Sequence, residues 1–180
     1  MRGLSDPTQL ALHLEENASA WQEIAGEVDS SALGLFGRLE ALARFGAELQ
    51  RRALAPYGLN YAEFTTIGML RTSPPAFRRS PTELRRLVGQ SSAGMTRILA
   101  KLEDEGLVRR VAGRGDGRRR DVILSARGRE LAEQSFAALL TAQADVLAPA
   151  GKRRRDELLR ALDALLVLFA RHPLPDLRAR

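Results

Sequence analysis

Residues 80–124 set down, in order, a short capped helix, a tight turn, a second capped helix and a hairpin with a glycine- and arginine-rich tip. Few folds accommodate that order. Ser80-Pro81-Thr82-Glu83 places serine at the N-cap, proline at the first helical position and glutamate at the third, so three start signals coincide. This helix is predicted to stop near Gly89, where glycine accepts the left-handed backbone of a helix end. Ser91-Ser92 opens the next helix, which turns Met95, Ile98, Leu99 and Leu102 inward and stops at Gly106. Leu107-Val108-Arg109-Arg110-Val111 and Asp121-Val122-Ile123-Leu124 are β-prone. The stretch Gly113-Arg114-Gly115-Asp116-Gly117-Arg118 between them predicts a two-stranded hairpin.

Helices are predicted on either side. Asp6-Pro7-Thr8-Gln9 reads as a capped start, followed by Leu10, Leu14, Trp21 and Ile24 on one face. Leu35, Leu39, Leu42, Phe45 and Leu49 stripe a second helix, which Pro56 and Gly58 end. Asn60-Tyr61-Ala62-Glu63 is another capping box, and Ser73-Pro74-Pro75 breaks the helix it opens. Ser125 caps a long helix to about Leu147. A last helix from about Lys152 carries Leu158, Leu162, Leu165, Leu166 and Phe169. The expected fold is mainly α with a small β-hairpin, a winged helix-turn-helix flanked by helices from both chain ends.

Charge sharpens the functional reading. The chain is +6 in all, but residues 71–120 hold 13 Lys and Arg against 5 Asp and Glu, a net +8, which leaves −2 for the rest. A basic centre between slightly acidic arms suits one element facing a polyanion. Single-stranded nucleic acid calls for aromatic stacking platforms, and this segment has only Phe77, so duplex DNA is the expected partner.

The second helix suits the major groove. With positions 95, 98, 99 and 102 inward, Ser92, Ala93, Thr96, Arg97 and Lys101 point away and form the expected reading face. Arg97 is the candidate for a bidentate guanine contact, and Ala93 or the Thr96 methyl suits a thymine methyl. Ser91, Arg78 and Arg79 are expected on phosphates, with Arg85 and Arg86 beside them. In the hairpin tip Arg114, Arg118 and Arg119 are expected at the DNA, Arg118 entering the minor groove with Asp116 holding its guanidinium. The bland alternative, a solvated amphipathic face, usually mixes acids among its bases; here acids enter only at 103–105.

Other classes find little support. His13 and His172 stand at opposite ends of the chain, and no cysteine exists to bind zinc or act as a nucleophile. The glycines at 113, 115 and 117 are not followed by a helix start, as a phosphate-cradling loop requires. No enzyme, metal or cofactor is expected. No apolar run approaches the roughly 18 residues of a membrane span, and the N-terminus lacks a secretory pattern, so a cytoplasmic, nucleoid-associated protein is expected. A sequence-neutral architectural binder using the same basic surface remains the alternative.

These motifs together resemble the MarR family of bacterial regulators over roughly residues 31–170. The likeness rests on Ser80-Pro81-Thr82-Glu83-Leu84, Ser91 to Arg97, Leu102-Glu103-Asp104-Glu105-Gly106-Leu107-Val108 and Leu124-Ser125-Ala126-Arg127-Gly128. The family's Asp-x-Arg wing motif is met by Asp116-Gly117-Arg118. The resemblance implies a ligand-responsive repressor that binds a pseudo-palindromic operator as a homodimer. It implies N-terminal helices at 6–55, a DNA-binding domain at 56–125 and C-terminal helices at 126–172, the two ends forming the dimerisation region. The extra N-terminal helix with Trp21 is similar to the branch that senses urate-type anions. That branch implies a pocket for a small anionic or aromatic effector near Trp21, Thr65 and Arg97. Thr65 stands where those members have an acid and Ile98 where they have an arginine, so Trp21 is read either as core or as a ligand wall.

Overall fold

The computed structural model describes residues 7–25, 31–73, 77–113 and 120–171. Its helices are α1 (Pro7–Ala25), α2 (Ser31–Leu54), α3 (Tyr61–Arg71), α4 (Pro81–Val88), α5 (Ser92–Asp104), α6 (Ala126–Leu147) and α7 (Lys152–Arg171), with a single 3-10 turn at Ala55–Tyr57. Three short strands, β1 (Arg78–Arg79), β2 (Val108–Ala112) and β3 (Arg120–Leu124), form an antiparallel sheet in the order β1-β3-β2. The mainly helical winged helix-turn-helix expected from the sequence is the architecture found.

Two compact units divide the chain, Met1–Phe136 and Ala137–Arg180. The core of the first lies where α2 ends and α3, α4, α5 and the sheet meet. Leu54, Ile67, Leu70, Leu84, Leu102 and Val122 are wholly buried there, and Leu107 nearly so. Burying an aliphatic side chain of this size contributes about 1.5–3 kcal/mol, so these few residues dominate the stability of the unit. Helix α3 starts as its sequence demands: Asn60 Oδ1 accepts from the Glu63 N–H at 2.9 Å, and Glu63 Oε2 accepts from the Asn60 N–H at 3.0 Å. Phe64 stacks on Phe136 of α6 with ring centroids 6.2 Å apart.

Strand β1 is not among the elements expected from the sequence, where Arg78 and Arg79 stand only as phosphate contacts. Two residues are too few to show alternation, and only pairing with β3, Arg78 opposite Ile123 and Arg79 opposite Val122, makes them a strand. At Gly128 the start of α6 approaches the backbone of Leu107, immediately before β2. A Cβ there would lie 2.0 Å from the Leu107 carbonyl oxygen, so only glycine fits.

The apolar stripes outside this core stay largely uncovered. In the first unit Leu12, Trp21, Ile24, Leu33, Leu42 and Phe45 are exposed. In the second, Leu158, Leu159, Leu162, Leu166, Val167 and Leu168 of α7 are exposed. Patches of this size on helices mark surfaces that associate.

Candidate nucleic-acid interface

Helix α4 begins at Ser80, whose N–H donates to Glu83 Oε2 at 2.8 Å while its Oγ accepts from the Glu83 N–H at 3.3 Å. The Ser80 N–H and the Ser80 hydroxyl, which donates to the same carboxylate oxygen at 2.8 Å, hold the Glu83 carboxyl below the usual carboxylate range, with Arg79 and Arg86 nearby adding to the effect. Gly89 ends the helix in the left-handed conformation, φ 70°, and its N–H and that of Gln90 both return to the Arg85 carbonyl. Ser91 follows at once as the N-cap of α5, its Oγ accepting from the Gly94 N–H at 3.0 Å. Three residues thus reverse the chain between two helices, and both caps come from the serines read in the sequence.

Helix α5 buries Met95, Leu99 and Leu102 and exposes Ser92, Ala93, Thr96 and Arg97. The residue sizes increase along this face away from its N-terminus, so the helix start is free to approach a base edge. Thr96 Oγ1 donates to the Ser92 carbonyl at 2.9 Å. Its hydroxyl proton is therefore engaged, and the residue is exposed. Among the described residues Arg97 has no hydrogen-bond or ion-pair partner. The exposed Ser91 hydroxyl accepts in its cap and still has a proton to donate.

Two expected DNA contacts are occupied elsewhere. Lys101 Nζ, expected on the reading face, lies 2.8 Å from Glu63 Oε2 and 3.2 Å from the Gly58 carbonyl oxygen, with Glu105 Oε1 at 3.7 Å. Bonding to Glu63, ahead of the weaker influence of Glu105, raises the Lys101 ammonium above its ordinary value. Arg78, expected on a phosphate, bonds Asp121 Oδ2 through Nε at 2.6 Å and reaches the Ala112 carbonyl through Nη2. Its side chain is 20% exposed and that of Asp121 16%. The unforeseen pairing of β1 with β3 is what brings these two together, and Arg78 is spent in stitching the wing to the body.

The remaining cations fall differently. Arg79 is half-buried and donates to the Met69 carbonyl at 3.3 Å. Arg85, Arg86 and Arg120 are exposed and share a cleft of about 690 Å³ between the first turns of α4 and the base of the hairpin. Arg110 pairs with Glu103 at 3.1 Å, which ties β2 to the end of α5. Arg114, Asp116, Arg118 and Arg119 lie outside the described residues.

The three residues expected around an effector lie on three helices. Trp21 of α1 is 49% exposed, and Thr65 of α3 donates back to the Tyr61 carbonyl of its own helix. A cavity of about 640 Å³ does lie between α1 and α2, lined by Leu14, Ala18, Leu33, Phe36 and Leu39 among others. Trp21, Thr65 and Arg97 do not line it. Among the described residues no group of three metal-ligating side chains exists, and no helix is long and apolar enough to cross a membrane.

A three-residue turn, an exposed second helix whose arginine is without a partner among the described residues, and an adjoining three-stranded wing define a winged helix-turn-helix protein of the DNA-binding class. The MarR family model matches residues 57–119, which include α3, β1, α4, α5 and β2. The HTH-type transcriptional repressor Rv2887 of Mycobacterium tuberculosis is 37% identical over 143 residues, covering 78% of this chain and 97% of that protein. The chain belongs to the MarR family. The structure of Rv2887 in complex with salicylic acid superposes with a TM-score of 0.57 at 35% identity, covering 73% of this chain and 95% of that one. The repressor CouR, bound to a 23-mer DNA duplex, has the same fold at a TM-score of 0.65 and 24% identity, covering 78% and 99% of the two chains.

Proposed function

We propose that this chain is a transcriptional repressor that binds a pseudo-palindromic operator as a homodimer and releases it when a small molecule binds. The observation that carries this reading is the face of α5, where Ser92, Ala93, Thr96 and Arg97 are exposed over a helix anchored from behind by Met95, Leu99 and Leu102. A helix so presented enters the major groove, with Arg97 bidentate to a guanine and Ala93 or Thr96 against a thymine methyl. Ser91, Arg85 and Arg86 bind phosphates and set the register. Arg118 enters the flanking minor groove with Asp116 orienting it, and Arg114 and Arg119 contact the DNA beside it; for these four the support is sequence alone.

Dimerisation is supported by the exposed apolar side chains of α2 and of α7, which a second copy would cover. A small aromatic acid is the effector class that kinship with Rv2887, solved with salicylic acid, supports. A regulator of this kind is not an enzyme, and it acts on the chromosome in the cytoplasm.

Selection of genomic duplex fragments on the purified protein at near-physiological salt, followed by sequencing, tests the reading. Enrichment of one inverted repeat with half-sites about one helical turn apart is expected. Uniform recovery of all fragments would instead make the chain an architectural binder.

A further inference from the structure

Among the described residues Glu63 is the only buried carboxylate, 4% exposed, and its Oε2 serves two donors, the Asn60 N–H at 3.0 Å and Lys101 Nζ at 2.8 Å. Lys101 in turn donates to two acceptors within the protein, Glu63 and the Gly58 carbonyl, and makes a looser ion pair with Glu105 at 3.7 Å. Gly58 and Asn60 lie in the corner that joins α2 to α3, whereas Lys101 and Glu105 lie at the far end of α5 from Ser92. One ammonium therefore ties the α2–α3 corner to the helix that carries the reading face. The rest of the attachment of α5 comes from the buried Met95, Leu99 and Leu102 and from the more exposed Arg110–Glu103 pair, which ties the end of the helix to β2. Apolar packing is non-directional and tolerates small rolls and slides, whereas a charge-assisted bond to a buried carboxylate fixes a direction.

We propose that Glu63 and Lys101 form a positioning pair that sets the pose of α5 against the α2–α3 corner without touching DNA. The proposal rests on the duplex-binding reading above and deepens it. Arg97 reads; Lys101, one turn further along the same helix, holds the reader in place.

The test uses the full chain as wild type, Glu63→Gln, Lys101→Met and the double variant. Affinity for the most enriched selected duplex is measured over a range of salt concentrations, and amide hydrogen exchange of residues 92–104 is measured in the free protein. Each single variant is expected to bind about 2- to 30-fold more weakly, and the double no worse than the weaker single. The slope of log K against log salt should stay at the wild-type value, because no phosphate contact is lost. Amides of α5 should exchange faster in both singles. The proposal is overturned if Lys101→Met lowers the slope by roughly 0.9 per contact while Glu63→Gln binds like wild type, since Lys101 is then a phosphate contact. It is equally overturned if exchange in α5 is unchanged. Should wild type enrich no duplex, the duplex-binding reading falls, and the exchange rates alone decide the positioning pair. Should Lys101→Met fail to fold, the nearly isosteric Glu63→Gln carries both measurements.

Discussion

The Lys101 ammonium lies 2.8 Å from the Glu63 carboxylate across 38 positions of sequence, and joins the helix expected to read DNA to the capping box of α3. Because Glu63 is 5% exposed at its side chain, removing the cation leaves a carboxylate without its partner in a poorly hydrated site. Lys101→Met should destabilise the protein by about 1–3 kcal/mol at neutral pH. The ammonium is raised above its ordinary value of 10.5 by that bond. Its stabilisation is thus fully present below 10.5 and is lost as pH rises through the higher folded value. Urea midpoints between pH 8 and 12 should show a constant gap between wild type and variant that closes only at the alkaline end; a gap independent of pH up to 12 would contradict the pairing.

Arg78 and Asp121 should behave as a unit of the wing. Both side chains are mostly covered, so Arg78→Ala and Asp121→Ala should each cost about 1–3 kcal/mol, and the double variant should cost well under their sum. Thermal denaturation of the four proteins measures the coupling. Additive losses would mean that the 2.6 Å contact contributes nothing specific.

Gly128→Ala places a methyl 2.0 Å from the Leu107 carbonyl oxygen, a backbone atom that no rotamer change can move. The start of α6 must shift away from the Leu107 backbone, at a cost of roughly 1–3 kcal/mol or more. An exposed helical glycine changed to alanine normally gains stability, so an unchanged or raised melting temperature would contradict the close approach.

Arg97→Ala should relax sequence preference at one position in each half-site, by about 1–3 kcal/mol, and leave the others intact. Selection and sequencing with the variant reads this directly. Equal weakening on every duplex would make Arg97 a phosphate contact instead.

Much of this was legible in the sequence because its signals are local. The serines at 80 and 91, the proline at 81 and the glycine at 89 act on their immediate neighbours, and each cap formed where its residues stand. The inward face of α5 followed from helical spacing for the same reason. What escaped depends on distant partners. Arg78 looks like any surface arginine until β1 pairs with β3 and delivers Asp121 to it. Lys101 falls on the outer arc of α5 by spacing, but a long side chain follows the nearest buried charge, and Glu63 revealed itself in sequence only as a cap residue. Trp21 fits an amphipathic stripe by spacing, yet Trp21 is half exposed and Ile24 more so, so neither enters the core of its own chain.

The central claim is that α5 reads sequence, and the affinity ratio between the best selected duplex and a random duplex of equal length tests it most directly. At about 150 mM salt the ratio should reach roughly 10³ or more for wild type. A ratio near one would contradict the claim and leave the basic surface as a sequence-neutral grip on DNA.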